Sequence, residues 1–480
     1  MQRDKVINIQ SFTQTEEDIV NRKTSSGEVL KTVLDSISKN NKVLNAIVTL
    51  DAGSAARQAE ELDEMLENGI IKGPLHGIPV TIKDNIEVAG MRATAGHKPF
   101  FGNISEQDAT VVGRLRSAGA IIAGKTNMPE LAMDFQTNSP VFGRANNPWD
   151  INRTPGGSTG GGAAAVASGM SFLEIGNDLL GSIRIPAHFC GIYGFVPSTN
   201  SIPRTGFIPK TALGATFGQI LRMGILARSV KDLITAFMII KGPDGKDMSI
   251  LPVDFGKNPV KNMDNLKIAW VDDAEGIMVS KGTRKVLTAF IDNINTKGHT
   301  VEKVDSSMLG FKQAKKIFAG LFYPVIGLKM PHIVRVIARV IGKNKYLNLN
   351  LKKYLEAEIQ RVDLIEKLDS FLTDKDVLIC PVTLTPAYLH QAQSRYIGSM
   401  PVYKQGIMVD DKVMEYGDAN TAFTILFSVT GNPVVVIPVG KSENGLPIGV
   451  QIVGKRWSDH DLLTIAEKLT EYADPPNYLR

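Results

Sequence analysis

Apolar residues in the first third of the chain follow two different patterns, a helical period and short continuous runs. Beyond Ser25 they follow one face of a helix: Val29, Leu30, Val33, Leu34 and Ile37. This period predicts a helix, and the alanine, glutamate and leucine of residues 52–66 predict a second one. Short continuous apolar runs then predict strands at 78–82 and 120–123, with a helix over 109–118 between them.

The same two patterns continue through the rest of the chain. Asn127, with Glu130 three positions later, has the spacing of a helix N-terminus. Apolar runs predict further strands at 172–175, 267–271, 376–380, 434–439 and 448–453. A last helix is predicted over 460–472, whereas residues 241–265, rich in Pro, Gly, Lys and Asp, predict a surface connection. Alternating strands and helices are typical of an α/β fold with a parallel or mixed sheet.

Charge and composition narrow the class of protein. The 480 residues include 54 basic and 49 acidic side chains, so the net charge is only +5 and we expect no nucleic acid partner. Cys190 and Cys380 lie in apolar surroundings and are interpreted as buried core residues. The first residues lack an apolar leader, and no apolar run approaches the ~20 residues of a membrane span. We therefore expect a cytoplasmic protein.

Residues 311–355 differ in composition from the rest of the chain. They contain ten lysines and arginines, no acidic residue, and many interspersed apolar side chains. A basic amphipathic segment of this kind can lie on an anionic membrane surface. The favoured interpretation is instead a helical cover with a solvated charged face, broken into pieces by Pro324 and Pro331.

A glycine-rich stretch, residues 155–189, holds Ser158 and Ser182 on either side of an alanine-rich run. A dinucleotide fingerprint and a nucleophile elbow are both unsupported, because no apolar strand precedes these glycines. The seven histidines show no metal-ligand spacing. What remains is a serine nucleophile whose base is not a histidine. Lys83, at the end of an apolar strand, can serve as that base if burial lowers its pKa.

Ordered motifs along the chain closely resemble those of the amidase signature family: residues 73–85, 124–130, 147–150, 156–161, 181–191, 431–433 and 445–451. The resemblance covers nearly the whole chain and is weakest over 245–415. It implies one large α/β domain, residues 1–480, with a mixed twisted sheet covered by helices on both faces. Within it, residues 73–199 would form the signature core, 245–415 a variable substrate-determining section, and 418–475 strands and a helix that return to the core.

The resemblance also implies a Ser-cisSer-Lys triad. Ser182 would be the acylated nucleophile, Ser158 a bridging serine held by a cis peptide bond, and Lys83 the base that starts the proton transfer. This chemistry implies no metal and no cofactor. The expected partner is a small-molecule amide, contact of residues 311–355 with a membrane surface is not favoured, and a homodimer is allowed.

Around the triad, four backbone N–H groups are the candidate oxyanion donors, those of Leu179, Leu180, Gly181 and Ser182. Asp178 and Arg184 are expected to pair and to fix this turn. Ala132 and Met133, with Phe135, are expected at the acyl pocket, although ordinary core packing accounts for them about as well.

Two positions depart from the family pattern Gly-Thr-Asp-x-Gly-Gly-Ser. Leu180 stands where a glycine is usual, and a leucine would be strained there if the position needs a positive φ. Asn177 stands where a threonine is usual, which resembles a subgroup that includes cyclic-amide hydrolases. Both changes lie at the expected oxyanion site and bear on the substrate class.

The main function that the resemblance implies is hydrolysis of a carboxamide by a free-standing amidase, through an acyl-enzyme on Ser182. One alternative is the glutamine-hydrolysing subunit of a tRNA amidotransferase. Those subunits resemble Ser-Ile-Arg-Gln-Pro after the nucleophile, and Ile185 argues against this alternative. A second alternative, which only Leu180 supports, is a catalytically weak binding protein. Residues 311–355 would suit a long hydrophobic acyl group, as in a lipid amide.

Overall fold

The structure, a computed structural model, describes residues 11–209, 218–253, 263–328, 351–397 and 400–475. The helices in these ranges are α1 (Phe12–Val20), α2 (Ser26–Leu44), α3 (Ala52–Glu67), α4 (Thr110–Ser117), α5 (Gly160–Ala167), α6 (Arg184–Cys190), α7 (Val230–Ile240), α8 (Lys281–Asn295), α9 (Phe311–Leu328), α10 (Leu351–Leu372), α11 (Tyr416–Thr421), α12 (Ile425–Thr430) and α13 (Asp459–Thr470). The strands are β1 (Ile47–Leu50), β2 (Pro79–Lys83), β3 (Ile121–Thr126), β4 (Asn138–Ser139), β5 (Gly143–Arg144), β6 (Leu173–Asp178), β7 (Tyr193–Val196), β8 (Arg222–Ala227), β9 (Lys267–Trp270), β10 (Asp273–Ala274), β11 (Ile277–Met278), β12 (Thr300–Lys303), β13 (Val377–Pro381), β14 (Gln393–Ile397), β15 (Met400–Tyr403), β16 (Ile407–Val409), β17 (Lys412–Met414), β18 (Val434–Lys441) and β19 (Pro447–Val453).

One large mixed sheet carries the fold, in the strand order β1-β3-β2-β6-β8-β7-β18-β19-β13-β9-β12. The strands β3, β2 and β6 are parallel to one another, and so are β13, β9 and β12. All other neighbouring strands in this order pair antiparallel. The predicted α/β fold with a mixed sheet is therefore confirmed.

Helices cover both faces of this sheet. Along β18, Val435 and Ile437 belong to one apolar core and Val434 and Val436 to another, because successive side chains of a strand point to opposite faces. The first core includes apolar residues of α2, α4, α7, α8 and α13. The second includes those of α6, α9, α10 and α12. A sheet buried on both faces explains why its strands read as continuous apolar runs.

Two local predictions near residue 125 are wrong. The strand predicted to end at residue 123 continues to Thr126, because its last residues pair with β1 and β2. The helix predicted to begin at Asn127 is only a single 3₁₀ turn, Glu130–Ala132. The Asn127 amide donates to the carbonyls of Asn45 and Gly143 instead of capping a helix.

The basic section also differs from the prediction. Helix α9 runs through Pro324 without a break, and its residues Leu321 and Phe322 pack into the second core beside α10 and α12. This packing holds the turn that precedes the proline and offsets the lost N–H donor. Residues 329–350, which include Pro331, lie outside the described ranges. Among the helices that are described, none has the length and apolar character needed to cross a membrane.

Candidate active site

Lys83 lies at the carboxyl end of β2, with its whole side chain buried. Its Nζ contacts three oxygens: Ser158 Oγ at 2.7 Å, Thr159 Oγ1 at 2.9 Å and Asn177 Oδ1 at 3.0 Å. A neutral amine has two N–H donors and one lone pair. An ammonium donates to all three oxygens, whereas a neutral Lys83 would donate to Thr159 and Asn177 and accept from the Ser158 hydroxyl.

The electrostatics of the site favour that neutral form. Burial lowers the pKa of Lys83 to about 7, although the negative charges of Glu174 and Asp178 oppose the shift. An amine with this pKa is neutral in a large fraction of molecules at physiological pH. Lys83 therefore meets the requirement for a general base.

Ser158 lies in the loop before α5, and the Gly157–Ser158 peptide bond is cis. The serine is fully buried, and the next residue, Thr159, donates its backbone N–H to the carbonyl of Ser182 at 3.1 Å. The two serine turns, 24 positions apart in the chain, are thus joined directly. The fold therefore places Lys83 in contact with Ser158, and the backbone of Ser182 in contact with the residue that follows Ser158.

Ser182 lies in the turn between β6 and α6, and a buried ion pair fixes that turn. Arg184 donates to both carboxylate oxygens of Asp178, at 2.8 and 3.1 Å, and both side chains are fully buried. Asp178 also accepts the backbone N–H groups of Gly181 and Ile183. Burial alone would raise the pKa of Asp178, but Arg184 and the Ile183 N–H outweigh it and lower that pKa to about 2. The pairing expected of these two residues is present.

The backbone N–H groups of this turn divide into two kinds. That of Gly181 donates to Asp178 at 2.7 Å, so the expectation that Gly181 contributes an oxyanion donor is wrong. Within the described ranges, the N–H groups of Leu179, Leu180 and Ser182 have no protein acceptor. Three donors therefore remain open beside the Ser182 hydroxyl, as an oxyanion requires.

Leu180 is not strained in this turn. The positive φ falls one residue later, on Gly181 at +120°, and Leu180 is not among the described residues with positive φ. A side chain at position 181 would press against Ile185 and Thr424, so this is the position that needs glycine. The expected strain at Leu180 does not occur.

The residues expected at the acyl pocket separate into two groups. Met133 and Phe135 are partly buried and pack against the same apolar core as Leu179 and Leu180. Ala132 packs instead in a smaller cluster with Ala93, Ala95, Met128 and Ile208. Both Leu131 and Ala132 have positive φ, which turns the chain sharply before Met133. Met133 therefore shares an apolar core with Leu179 and Leu180, whereas Ala132 does not.

Two partners of Lys83, Thr159 and Asn177, were not assigned to it from the sequence. Asn177 stands where the chain departs from the family pattern, which is the signal that could have found it. In the described parts of the chain, no group of three or more His, Cys, Asp or Glu side chains is placed to hold a metal ion.

Comparisons with known proteins agree with this geometry. The family model described as Amidase matches residues 28–463. A glutamyl-tRNA(Gln) amidotransferase subunit from Carboxydothermus hydrogenoformans is 30% identical over 96% of this chain and 97% of that protein. A solved structure described as an amidase is 28% identical with a TM-score of 0.77, and covers 97% of this chain and 100% of its own. The structure of a 6-aminohexanoate cyclic dimer hydrolase with its substrate has a TM-score of 0.82 at 23% identity, over 99% and 100% of the two chains, and supports the fold. The chain belongs to the amidase signature family.

Proposed function

We propose that this protein hydrolyses the C–N bond of a carboxamide, with Ser182 as nucleophile, Ser158 as proton relay and Lys83 as base. The observation that carries the proposal is the buried Lys83 amine, 2.7 Å from the Ser158 hydroxyl. A serine hydroxyl becomes an effective nucleophile when a nearby base removes its proton. Three open N–H groups beside Ser182 supply the complementary part of the reaction, since they can bind a developing oxyanion.

In the acylation step, the Ser182 oxygen attacks the carbonyl carbon of the amide. Its proton passes to the Ser158 oxygen, while the Ser158 proton passes to the nitrogen of Lys83. The carbonyl oxygen becomes an oxyanion held by the open N–H groups. The proton on Lys83 then returns through Ser158 to the leaving nitrogen, the C–N bond breaks, and ammonia or an amine departs.

In the deacylation step, water attacks the ester formed on Ser182. Its proton follows the same relay to Lys83 and returns to the Ser182 oxygen as the carboxylic acid leaves. The cycle consumes one water and restores the starting protonation of all three side chains.

We assign an apolar acyl group to the substrate. Four partly buried apolar side chains pack against the core that also holds Ile183 and Ile185 of the nucleophile segment: Met133, Phe135, Leu179 and Leu180. Glutamine would bring a charged ammonium and a carboxylate, which are costly to bury without charged partners. The nearby carboxylate of Asp134 is already held by the hydroxyls of Tyr403 and Tyr416. Tyr403 belongs to section 245–415, to which we assign a share in substrate choice.

A second candidate is glutamine hydrolysis as the catalytic subunit of a tRNA amidotransferase. The observation that favours it is the name of the Carboxydothermus relative, at 30% identity over 96% of this chain. The same triad would act on the side-chain amide of glutamine. This candidate expects higher activity on glutamine than on apolar amides, and further stimulation by partner subunits.

A fluorophosphonate probe tests the nucleophile. We expect labelling of the wild type and its loss in Ser182→Ala and Lys83→Ala. Ser171→Ala is the matched control, because Ser171 is also buried but donates to the Leu173 carbonyl. An unlabelled wild type would support the inactive binding protein, whose only support, strain at Leu180, is absent.

A substrate panel then separates the two enzymatic candidates. It compares glutamine, a cyclic amide and linear amides of increasing acyl-chain length at equal concentrations. Rates that rise with chain length support the apolar acyl group. A clear preference for glutamine would transfer the proposal to the amidotransferase subunit.

A further inference from the structure

A buried carboxyl group, Glu174, lies in the sheet beneath the candidate active site. It is fully buried near the start of β6, directly across from Thr81 on β2. Its two oxygens accept hydrogen bonds from hydroxyls, one from Thr81 and one from Thr126, each at 2.6 Å. Short hydrogen bonds on both oxygens hold the carboxyl in a single orientation.

The glycines of the signature stretch let helix α5 begin directly above this carboxyl. A side chain at Gly162 would overlap the Cγ and Cδ atoms of Glu174. The first turn of α5 therefore contacts Glu174 closely, and the positive end of the helix dipole lies at the carboxyl. Position 162 of the motif is therefore a glycine because any larger residue would collide with Glu174.

Lys83 and Glu174 lie on the same face of the sheet. Thr81 is opposite Glu174, and Lys83 is two positions after Thr81 on the same strand, so both point to one side. Two charged groups act on this pair directly, Lys125 on β3 and Asp178 on β6. Arg184 of α6 and Arg222 of β8 act in turn on Asp178. Asp84 and Glu87 act on Lys125. No charge on α5 faces the pair, because its residues 160–167 are glycine, alanine and valine.

We propose that Glu174 is a positioning residue, whose carboxylate stabilises the ammonium that Lys83 becomes when it accepts the serine proton. The inference rests on the proposed function, since it concerns the protonated state of the proposed base. Asp178 is already paired with Arg184 and holds the nucleophile turn. Glu174 accepts hydrogen bonds from two hydroxyls, and its negative charge acts on Lys83 as well as on Lys125.

The physical need for such a group follows from burial. A charge that forms in a fully buried site is costly unless an opposite charge lies close by. Lys83 carries that charge in the middle of each half-reaction, on a side chain that is fully buried. Burial raises the pKa of Glu174 to about 7, against the hydrogen bonds of Thr126 and Thr81, so its charge responds to the same pH range as Lys83.

The variant Glu174→Gln tests the charge while keeping the volume. The negative charge of Glu174 raises the pKa of Lys83, so its removal lowers that pKa further. Because neutral Lys83 is the active base, the acid limb of the kcat/KM profile should move to lower pH by about one unit. The maximal kcat should fall on the order of tenfold, since Lys83 is a weaker base and its ammonium is less stabilised.

A merely structural role would lower stability without moving the acid limb. Asp232→Asn is the matched control, because Asp232 is a buried carboxyl whose partners Ser11, Phe12 and Thr13 lie at α1. Its acid limb should equal that of the wild type. If Glu174→Gln does not fold, Thr126→Val removes one donor to the ionised carboxyl and should move the limb in the same direction by less.

The outcomes separate this inference from the function on which it rests. An acid limb that stays in place in the folded Glu174 variant, or in Thr126→Val when only that variant folds, overturns the role of Glu174 and leaves the triad standing. If the fluorophosphonate probe does not label the wild type, the proposed function is overturned, and this inference with it.

Discussion

Asn177 accepts a hydrogen bond from Lys83 over 3.0 Å and donates one to Asn85 over 2.9 Å. Both asparagines are buried, so neither amide can exchange its partner for water without a rearrangement. The residue that replaces the usual threonine is therefore a direct partner of the proposed base. It accepts one N–H of Lys83, whose nitrogen also lies 2.7 Å from the Ser158 hydroxyl.

Removal of this acceptor should impair catalysis. Asn177→Ala leaves Lys83 with one partner fewer, and we expect kcat/KM to fall on the order of 10²-fold, as for other lost active-site hydrogen bonds. Asn177→Thr is the control, because its hydroxyl also accepts and should retain most of the activity. Asn177→Asp should move the acid limb to higher pH, since an added negative charge raises the pKa of Lys83. Equal rates in the Ala and Thr variants would contradict this role.

The pH dependence of the wild type should report Lys83. Burial lowers its pKa to about 7, and only the neutral amine can accept the serine proton. Activity is therefore expected to rise as pH increases through about 7 and to be lost below it. Steady-state kcat/KM, measured at constant ionic strength between about pH 5 and 9, reports this rise in activity. A profile that is flat across neutral pH would mean that Lys83 is not the base.

Two adjacent positions in the nucleophile turn should respond in opposite ways to substitution. Gly181→Ala places a side chain at φ +120° against Ile185 and Thr424, and should lower kcat on the order of 10²-fold. Leu180→Gly should keep the rate on a small amide within about threefold, because Leu180 has an ordinary φ. Circular dichroism of both variants checks that they fold. A severe loss in Leu180→Gly with a mild one in Gly181→Ala would reverse the assignment.

Much of the fold could be predicted from residue patterns, but contacts between distant strands could not. The apolar run before Lys83 predicts β2, and the alanines after Ser158 predict α5. The role of Glu174 depends on β2 lying between β3 and β6, an order that no local pattern contains. The Asn127 helix was wrong for a related reason. Its amide donates to the carbonyls of Asn45 and Gly143, and such tertiary contacts override a local capping pattern.

The buried pair of Asp178 and Arg184 should matter for stability. Asp178→Asn leaves the Arg184 guanidinium buried without its carboxylate, which should lower the free energy of unfolding by about 3–5 kcal/mol. Urea denaturation measures this loss. Asp150→Asn breaks a partly exposed pair with Arg153 and should change it by less than about 1 kcal/mol.

The same pair has a consequence at low pH. The folded pKa of Asp178, about 2, lies below the ~3.9 of an unfolded aspartate. Its contribution to stability is therefore present above about pH 4 and is lost as pH falls through about 2. Similar losses in the Asp178 and Asp150 variants would show that the buried pair is not the stronger one.

Asp134 ties the pocket loop to the variable section, which gives a last prediction about substrate choice. It lies between Met133 and Phe135 and accepts the hydroxyls of Tyr403, at 2.5 Å, and of Tyr416, at 2.7 Å. Tyr403→Phe removes one of these bonds but touches no member of the triad. The loop should then hold its two apolar side chains less firmly, so KM for a long-chain amide should rise on the order of tenfold while kcat on a short amide stays the same.

Tyr354→Phe is the control for that experiment, since Tyr354 lies in the same variable section but bonds Glu358. Its KM values should match the wild type for both amides. The comparison distinguishes a pocket effect from a general one, because a loosened loop alters binding of the acyl chain and leaves proton transfer through Lys83 untouched. If Tyr403→Phe lowers kcat equally on both amides, Asp134 supports the catalytic geometry itself rather than the choice of substrate.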